Sequence, residues 1–325
     1  MTKLTLRDAV SKGLREALDR DTSVFLMGED IGAYAGAYVV TKGFLDEYGP
    51  DRIKDTPISE SGVVGAAIGA AMGGMRPIVE IMTVNFMLLA MDQIVNHAAK
   101  LRYMSNGQIT IPMVIRTVTG GGAALGATHS QMFEGWFAAV PGLKVVLPSD
   151  PYDALGLLRS AISDNNPVIF SEHALLYNIT GDVPDEEYTI PLGSASVKRE
   201  GDDVTLIAYS RMVHVALEAA EALSTRGVSA EVVDLRTLRP LDVDTIVESV
   251  KKTGRAVVVE ETWKTGGFAG EVVSTIQEEA FDYLDGPVVR VGGIDVPTPY
   301  SEDLEAAVIP TPERLIDALY KGFGL

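Results

Sequence analysis

Short apolar segments alternate along the chain with segments of helical spacing, and this alternation restricts the fold more than any other feature of the sequence. Residues 145–147 and 168–170 are uninterrupted apolar runs, and residues 151–163 between them have the apolar spacing of a helix. Strands that are apolar at every position are buried on both faces, and right-handed crossovers place helices on both faces of a parallel sheet. The pattern therefore predicts an α/β fold.

A polar stretch divides the alternation into two parts. Residues 182–191 contain two prolines and three consecutive acidic residues, and they show no helical spacing. Apolar runs and helical segments resume at Val204. The sequence predicts two doubly wound, mainly parallel-sheet domains, at residues 1–185 and 201–325, joined by a linker at residues 186–200.

Charge and composition argue against several classes of partner. With 27 basic and 45 acidic side chains the formal net charge is −18, which opposes binding to nucleic acid and to anionic membrane surfaces. The chain has no cysteine, which excludes disulfides and thiolate chemistry and is compatible with a reducing compartment. We therefore expect a cytoplasmic protein that binds neither nucleic acid nor membrane.

The most apolar segment, residues 62–75, carries no charge. It is too short to span a bilayer, and we expect it to form a buried helix. Gly65, Gly69 and Gly73 would share one face of that helix, where small residues favour tight packing inside the fold or across a subunit interface.

Several common catalytic motifs do not occur in the sequence. The glycine-rich loops G-x-G-x-x-G and G-x-x-x-x-G-K-[ST] are missing, which weakens the dinucleotide-binding and nucleotide-hydrolase hypotheses. The four histidines show no H-x-x-x-H spacing, and there is no G-x-S-x-G turn. A common zinc site and a serine hydrolase are therefore not expected.

Two residues stand out by their position. Glu60 follows a Thr-Pro-Ile-Ser segment at the start of the apolar helix. There it is either a first-turn carboxylate that stabilises the helix dipole or a buried carboxyl group that binds a ligand nitrogen. His129 lies in a glycine-rich loop between a strand and a helix. A histidine in such a loop is better suited to proton transfer than to a structural role.

Short motifs in a fixed order show what the chain resembles. They are Gly-Glu-Asp-Ile-Gly at 28–32, Asp-Thr-Pro-Ile-Ser-Glu at 55–60, Glu-Ile-Met-Thr-Val-Asn-Phe at 80–86, His-Ser-Gln at 129–131, Pro-Gly-Leu-Lys-Val-Val at 141–146 and Asp-Leu-Arg-Thr-Leu-Arg-Pro-Leu-Asp at 234–242. With these motifs the chain resembles, over nearly its whole length, the beta subunit of the thiamine-diphosphate-dependent decarboxylase of 2-oxo-acid dehydrogenase complexes.

The resemblance implies a pyrimidine-binding domain followed by a transketolase-like C-terminal domain. It also implies an alpha subunit, in an alpha2beta2 heterotetramer that docks on a lipoyl acyltransferase core. The Gly-Asp-Gly signature by which thiamine enzymes hold magnesium and diphosphate does not occur in this chain. The resemblance therefore implies that the alpha subunit holds these groups and that the chain alone is inactive.

Site residues follow from the same resemblance. Glu60 would bind the pyrimidine ring nitrogen and so promote loss of the thiazolium proton, while Phe86 packs on the aminopyrimidine and Met82 contacts it. Glu29 would belong to a proton relay between the two sites of the tetramer. His129 would act near the reacting centre as the acyl group passes to a lipoyl sulfur.

The resemblance also implies a metal site and a substrate class. Some relatives bind potassium through backbone carbonyls, and the matching residues here are Ala161, Ile162, Asp164 and Asn166. Residues 82–86 favour a pyruvate enzyme, with acetoin and branched-chain 2-oxo acids as alternatives. An alternative of another class is a noncatalytic scaffold subunit that keeps both domains without binding the cofactor.

Overall fold

The structure, a computed structural model, describes residues 1–324 of the chain. Its contacts divide the chain into two units. The first unit contains residues 1–119 and 136–192, and the second contains residues 120–135 together with the chain from Gly193 onward. The predicted boundaries at 185 and 201 stay a prediction, and Leu325 lies outside the described residues.

Strands of the first unit are β1 (Thr2–Thr5), β2 (Val24–Gly28), β3 (Ile53–Asp55), β4 (Arg76–Ile81), β5 (Val114–Thr119), β6 (Lys144–Val146), β7 (Val168–His173) and β8 (Thr180–Val183). Strands β2 to β7 lie in the order β6-β7-β5-β4-β2-β3, and all neighbours in this order are parallel. The short strands β1 and β8 form an antiparallel pair of their own. The main sheet is thus the doubly wound parallel sheet that the apolar runs predict.

Helices of this part of the chain are α1 (Leu6–Arg20), α2 (Phe44–Tyr48), α3 (Glu60–Met72), α4 (Val84–Met87), α5 (Leu101–Met104), α6 (Glu134–Ala138) and α7 (Pro151–Ser163). Helices α1 and α7 pack together, and their buried leucines belong to one hydrophobic core with residues of the sheet. Each begins with a side-chain cap, in α1 from Thr5 and in α7 from Asp150. These caps mark where the two helices begin, and the spacing of the apolar residues determines which faces are buried.

Strands of the second unit are β9 (Ser196–Arg199), β10 (Val204–Ala208), β11 (Ala230–Asp234), β12 (Thr237–Arg239), β13 (Ala256–Trp263) and β14 (Val289–Gly293). A sheet in the order β14-β13-β10-β11-β9 is parallel except for the edge strand β9. Its helices are α8 (Met212–Ser224), α9 (Val243–Thr253), α10 (Ala269–Ala280), α11 (Glu302–Val308) and α12 (Pro312–Phe323). The prediction of two mainly parallel α/β sheets is confirmed.

Two expectations about individual helices are wrong. The apolar spacing of residues 86–103 predicts a single helix, but the structure divides this segment into α4, a 3₁₀ turn, a π-helical stretch at Gln93–Ala98 and α5. Apolar spacing cannot separate these forms, because their periods differ by a fraction of a residue per turn. Helix α3 is not fully buried, since Gly62, Ala66 and Gly69 are exposed along it. Within residues 1–324, no helix has the length and apolar character needed to cross a bilayer.

Candidate active site

A pocket opens in the first unit where three neighbouring parallel strands end. Gly28 ends β2, Thr56 follows β3 and Ile81 ends β4, and all three residues line the pocket. Only glycine fits at position 28, because an added Cβ would lie 2.7 Å from the backbone oxygen of Glu80. The carboxyl edge of a parallel sheet is where such folds bind ligands.

The wall of the pocket combines apolar side chains with the start of a helix. Glu60 is the first residue of α3, and Val63 lies one turn later on the pocket side. Met82 and Phe86, which follow β4, are half-buried and line the same pocket. A carboxyl group is therefore presented to a small space that has apolar and aromatic walls.

Three carboxyl groups line this pocket, and none of its lining residues is cationic. They belong to Glu29, Glu60 and Glu80. Burial raises the pKa of Glu29, and the negative charges of Asp30 and Glu60 raise it further. Glu29 is thus close enough to Glu60 for their charges to interact. The pocket favours a ligand that donates hydrogen bonds and disfavours an anion.

Glu80 connects the pocket to a buried charge network. Its carboxylate accepts a 2.6 Å hydrogen bond from Nη1 of Arg116, which is opposite it in the β4–β5 register. Arg116 also donates from Nε and Nη2 to Glu172, at 2.7 and 2.8 Å, and the Tyr177 hydroxyl donates to the same carboxylate at 2.7 Å. Two carboxylates therefore share one guanidinium group.

The two carboxyl groups of the network differ in exposure and in proton affinity. The side chains of Arg116 and Glu172 are 3% and 0% exposed, whereas that of Glu80 is 16% exposed. Burial lowers the pKa of Arg116, but Glu172 and Glu80 more than offset this and raise it. For Glu80, burial raises the pKa more than Arg116 lowers it. Glu172 forms the bidentate ion pair with Arg116, and Glu80 is the carboxyl group with increased affinity for a proton.

His129 belongs to the second unit, in the loop formed by residues 120–135. Its side chain is exposed, and its Nδ1 lies 2.9 Å from Oγ1 of Thr128. Its backbone N–H donates to the carbonyl of Gly126 at 3.2 Å. An imidazole held at its backbone and open to solvent is suited to proton transfer.

Comparison with known proteins identifies both parts of the chain. Residues 2–180 match the family described as "Transketolase, pyrimidine binding domain", and residues 193–315 match "Transketolase, C-terminal domain". The chain is 50% identical over 320 residues to the pyruvate dehydrogenase E1 component subunit beta of Dictyostelium discoideum, covering 97% of this chain and 90% of that protein. It is 48% identical over 319 residues to the beta subunit of Rickettsia bellii, covering 98% of each.

The chain belongs to the family of pyruvate dehydrogenase E1 component beta subunits. The resemblance stated from the motifs is therefore confirmed. A solved structure described as a split-gene transketolase, an inactive beta4 tetramer, has the same fold, with a TM-score of 0.81, 26% identity and 99% coverage of both chains. The predicted transketolase-like architecture is confirmed as well.

The pocket of this beta subunit suits one half of thiamine diphosphate, the coenzyme of the family. An aminopyrimidine has ring nitrogens and an amino group that can pair with carboxyl groups, and an aromatic face that can pack on Phe86. A diphosphate carries negative charge and would be repelled by the carboxyl groups of Glu29, Glu60 and Glu80. The residues present therefore fit the pyrimidine half and not the diphosphate half.

The four residues predicted to bind potassium lie at the end of α7 and just before β7. The carbonyls of Ile162 and Asp164 accept hydrogen bonds from Nη1 of Arg76, at 2.9 and 3.1 Å. The side-chain oxygen of Asn166 accepts one from Arg102. A guanidinium group thus already supplies positive charge at two of the four carbonyls. Potassium binding stays a prediction, and no catalytic step is derived through it.

Four residues that the resemblance assigns to the site, Glu29, Glu60, Met82 and Phe86, line one pocket, and their roles stay predictions. Glu80 lines the same pocket and was not predicted. A signal for it was present. Glu80, Arg116 and Glu172 are charged residues in three strands of the main sheet, each of which also contains at least three apolar residues. A charge buried in a strand requires a partner, and neighbouring parallel strands are the nearest source of one.

The raised pKa of Glu80 predicts a pH-dependent stability difference. A carboxyl group whose pKa is higher in the folded chain binds more protons there, so its contribution to stability falls as pH rises from the unfolded value of about 4.3 through the folded one. Relative to wild type, Glu80→Gln should therefore gain stability between about pH 5 and about pH 8. Urea unfolding of both proteins at the two pH values measures this, and a difference that does not change with pH contradicts it.

Proposed function

We propose that the chain is the beta half of a thiamine-diphosphate-dependent enzyme that decarboxylates pyruvate and passes the acetyl group to a lipoyl domain. The observation that carries the proposal is the pocket lined by Glu29, Glu60 and Glu80 and by the apolar side chains of Met82 and Phe86, with no cationic residue in the lining. The names of the relatives give the substrate, since they are beta subunits of pyruvate dehydrogenase E1.

We assign a role to four residues of the pocket. The coenzyme, when bound, supplies the nucleophilic carbon and accepts the electrons that decarboxylation releases. Glu60 holds a proton against the pyrimidine ring nitrogen, and Phe86 and Met82 pack on the ring and exclude water. Glu29 passes protons to and from the pocket, a role that its raised pKa supports.

An alpha subunit would supply what the pocket disfavours. Magnesium and the diphosphate need a site with cations and backbone N–H donors, and we assign that site to the alpha subunit of an alpha2beta2 heterotetramer. The exposed side of α3 supports such a partner, because a Cβ added at Gly69 would meet no atom within 4 Å. The name of the related structure, an inactive beta4 tetramer, supports the proposal that beta subunits alone do not turn over.

Reconstitution tests the proposed function. The chain is combined with its alpha subunit, thiamine diphosphate and magnesium. Release of carbon dioxide from carboxyl-labelled pyruvate, cleavage of acetoin and turnover of branched 2-oxo acids are then measured. We expect release only with both chains present, and faster turnover of pyruvate than of acetoin or branched 2-oxo acids. A cofactor-loaded heterotetramer that acts on none of these substrates would instead support the scaffold function, and faster turnover of another one would replace pyruvate as the substrate.

Replacing His129 by alanine separates the two half-reactions. We propose that His129 serves the passage of the acetyl group to the lipoyl sulfur, so the His129→Ala enzyme should lose acetylation of a lipoyl domain by about 10²- to 10⁴-fold. Decarboxylation measured with ferricyanide as electron acceptor should change far less. Acetylation at the wild-type rate would return His129 to a structural role, and His97→Ala, at an exposed helical histidine, is the control.

Two further parts of the proposal rest on charge and composition. The acidic chain, with a formal net charge of −18, would be attracted to a basic docking module of the lipoyl acyltransferase core. The absence of cysteine is compatible with a cytoplasmic location. Cofractionation of the chain with the acyltransferase core from lysed cells tests the docking, and weaker association at high salt is expected.

A further inference from the structure

The loop that carries His129 is fastened to the rest of the second unit by two carboxylates. The backbone N–H of Gly121 donates to Oε1 of Glu261 at 2.6 Å, and the N–H of Ala124 donates to Oε2 of Glu305 at 2.8 Å. The partners are 140 and 181 residues apart in the sequence. Neither the pocket of Glu60 nor the proposed chemistry accounts for these acidic residues.

Both carboxylates are buried and come from separate elements. Glu261 lies in β13 and is 8% exposed, and Glu305 lies in α11 and is 2% exposed. A hydrogen bond to a side-chain oxygen is stronger in a buried site than in water, because the local dielectric constant is lower. The loop is thus held at two points by strong bonds to rigid elements.

The backbone of the loop needs such support. Gly120, Gly122 and Ala124 have φ values of +85°, +94° and +56°. The left-handed conformation is unfavourable for alanine, and it persists where surrounding contacts hold it. At Gly121 an added Cβ would lie 3.2 Å from Oε1 of Glu305, so glycine lets the loop approach α11 closely.

The anchors determine where His129 lies. The loop is closed at its base by a 3.3 Å hydrogen bond from the N–H of Gly120 to the carbonyl of Gln131. Between Ala124 and His129, Gly126 has a φ of +77° and packs so tightly on Tyr300 that an added Cβ would lie 2.2 Å from its ring. A chain held at Gly121, Ala124 and Gly126 leaves His129 little freedom to move.

We propose that Glu261 and Glu305 are positioning residues that hold the loop of residues 120–135, and through it His129, in the geometry that acyl transfer requires. The inference rests on the proposed function for the role of His129. Neither residue takes part in the chemistry. Each acts by accepting a backbone hydrogen bond, and so the length of the side chain matters more than its charge.

Three substitutions at position 305 distinguish length from charge. Glu305→Gln keeps an oxygen at the right distance from the N–H of Ala124 without the charge. Glu305→Asp keeps the charge but withdraws it by one methylene, and Glu305→Ala removes the acceptor. Asp303→Ala, at an exposed residue of the same helix, is the matched control for loss of a negative charge. All four are assembled with the alpha subunit, thiamine diphosphate and magnesium.

We expect Glu305→Ala and Glu305→Asp to lower kcat for acetylation of a lipoyl domain by roughly 10- to 100-fold. Glu305→Gln and Asp303→Ala should stay within about 3-fold of wild type. Decarboxylation with ferricyanide and KM for pyruvate should stay near wild type in all four. If Glu305→Ala does not assemble, the comparison of Glu305→Asp with Glu305→Gln carries the test.

Hydrogen exchange separates this inference from the proposed function. By mass spectrometry, amides of residues 120–130 should exchange faster in Glu305→Ala and Glu305→Asp than in wild type. Unchanged exchange there, or equal loss of acetylation in Glu305→Asp and Glu305→Gln, overturns the positioning role. Faster exchange in an assembly whose wild type does not acetylate a lipoyl domain would confirm the anchoring and contradict the function proposed for His129.

Discussion

Replacing Glu60 by glutamine is expected to suppress turnover of pyruvate by about 10²- to 10⁴-fold while leaving the assembly intact. Glutamine has nearly the same size as glutamate, but its amide cannot exchange a proton with the pyrimidine ring nitrogen. The measurements are kcat with pyruvate and the rate at which the thiazolium C2 proton of the bound coenzyme exchanges for deuterium. Both should fall together.

A matched control tests the alternative role of Glu60. Glu60 begins α3, where a carboxylate also stabilises the helix dipole by about 0.3–1 kcal/mol. Glu302 begins α11 in the same way and is exposed. If the dipole were the whole explanation, Glu60→Gln and Glu302→Gln would both lose a little stability and neither would lose activity. Normal turnover in Glu60→Gln contradicts the assigned role.

Replacing Arg116 by methionine is expected to destabilise the chain by about 3–5 kcal/mol. The substitution leaves Glu80 and Glu172 in the sheet without their cation, and the Glu172 side chain is 0% exposed. Methionine fills a similar length, so the loss comes from unpaired charge more than from a cavity. The free energy of unfolding in urea measures the effect, which should become smaller in acid as carboxyl groups take up protons.

An exposed ion pair provides the comparison for Arg116. Arg20 pairs with Glu187, and their side chains are 53% and 60% exposed. Exposed pairs contribute little, so Arg20→Met should cost no more than about 1 kcal/mol. Equal losses in the free energy of unfolding for Arg116→Met and Arg20→Met would contradict the expected larger contribution of the buried network.

The alternation of apolar runs and helical segments was sufficient to predict the fold class. Helix α7 occupies residues 151–163 and strand β10 residues 204–208, as the spacing predicts. Local spacing works there because burial on both faces of a parallel strand leaves a continuous apolar run. It does not report pairing between distant segments, and the antiparallel partners β1–β8 and β9–β11 were therefore not predicted.

The sequence motifs predicted which segments form the candidate site, but not how their residues pair with other strands. The motifs at 28–32, 55–60 and 80–86 begin in the last residues of β2, β3 and β4, and the parallel sheet brings these strand ends to one edge. Glu80 is the first residue of the motif at 80–86, but its importance depends on Arg116, which is opposite it on the next strand. A register between strands is a tertiary property. A charge within a strand therefore indicates that a partner is needed, but the sequence does not show which residue supplies it.

The loop of residues 120–135 shows the same limitation more strongly. Its glycines and His129 indicated function, but its attachment to Glu261 and Glu305 joins residues 140 and 181 positions apart. Glu305 has no local feature that distinguishes it from other acidic residues of the chain, and the apolar run before Glu261 does not indicate its partner. Only the fold brings these carboxylates to the backbone N–H groups that they hold.

The central claim is that the pocket of Glu60 holds the pyrimidine ring of thiamine diphosphate in an assembly with an alpha subunit. An experimental density map of that assembly with coenzyme and magnesium tests it most directly. We expect the ring nitrogen within hydrogen-bonding distance of the Glu60 carboxyl group, with Phe86 on the ring face and the diphosphate held by the alpha subunit. A coenzyme bound away from Glu60, or a diphosphate lying among Glu29, Glu60 and Glu80, would contradict the claim.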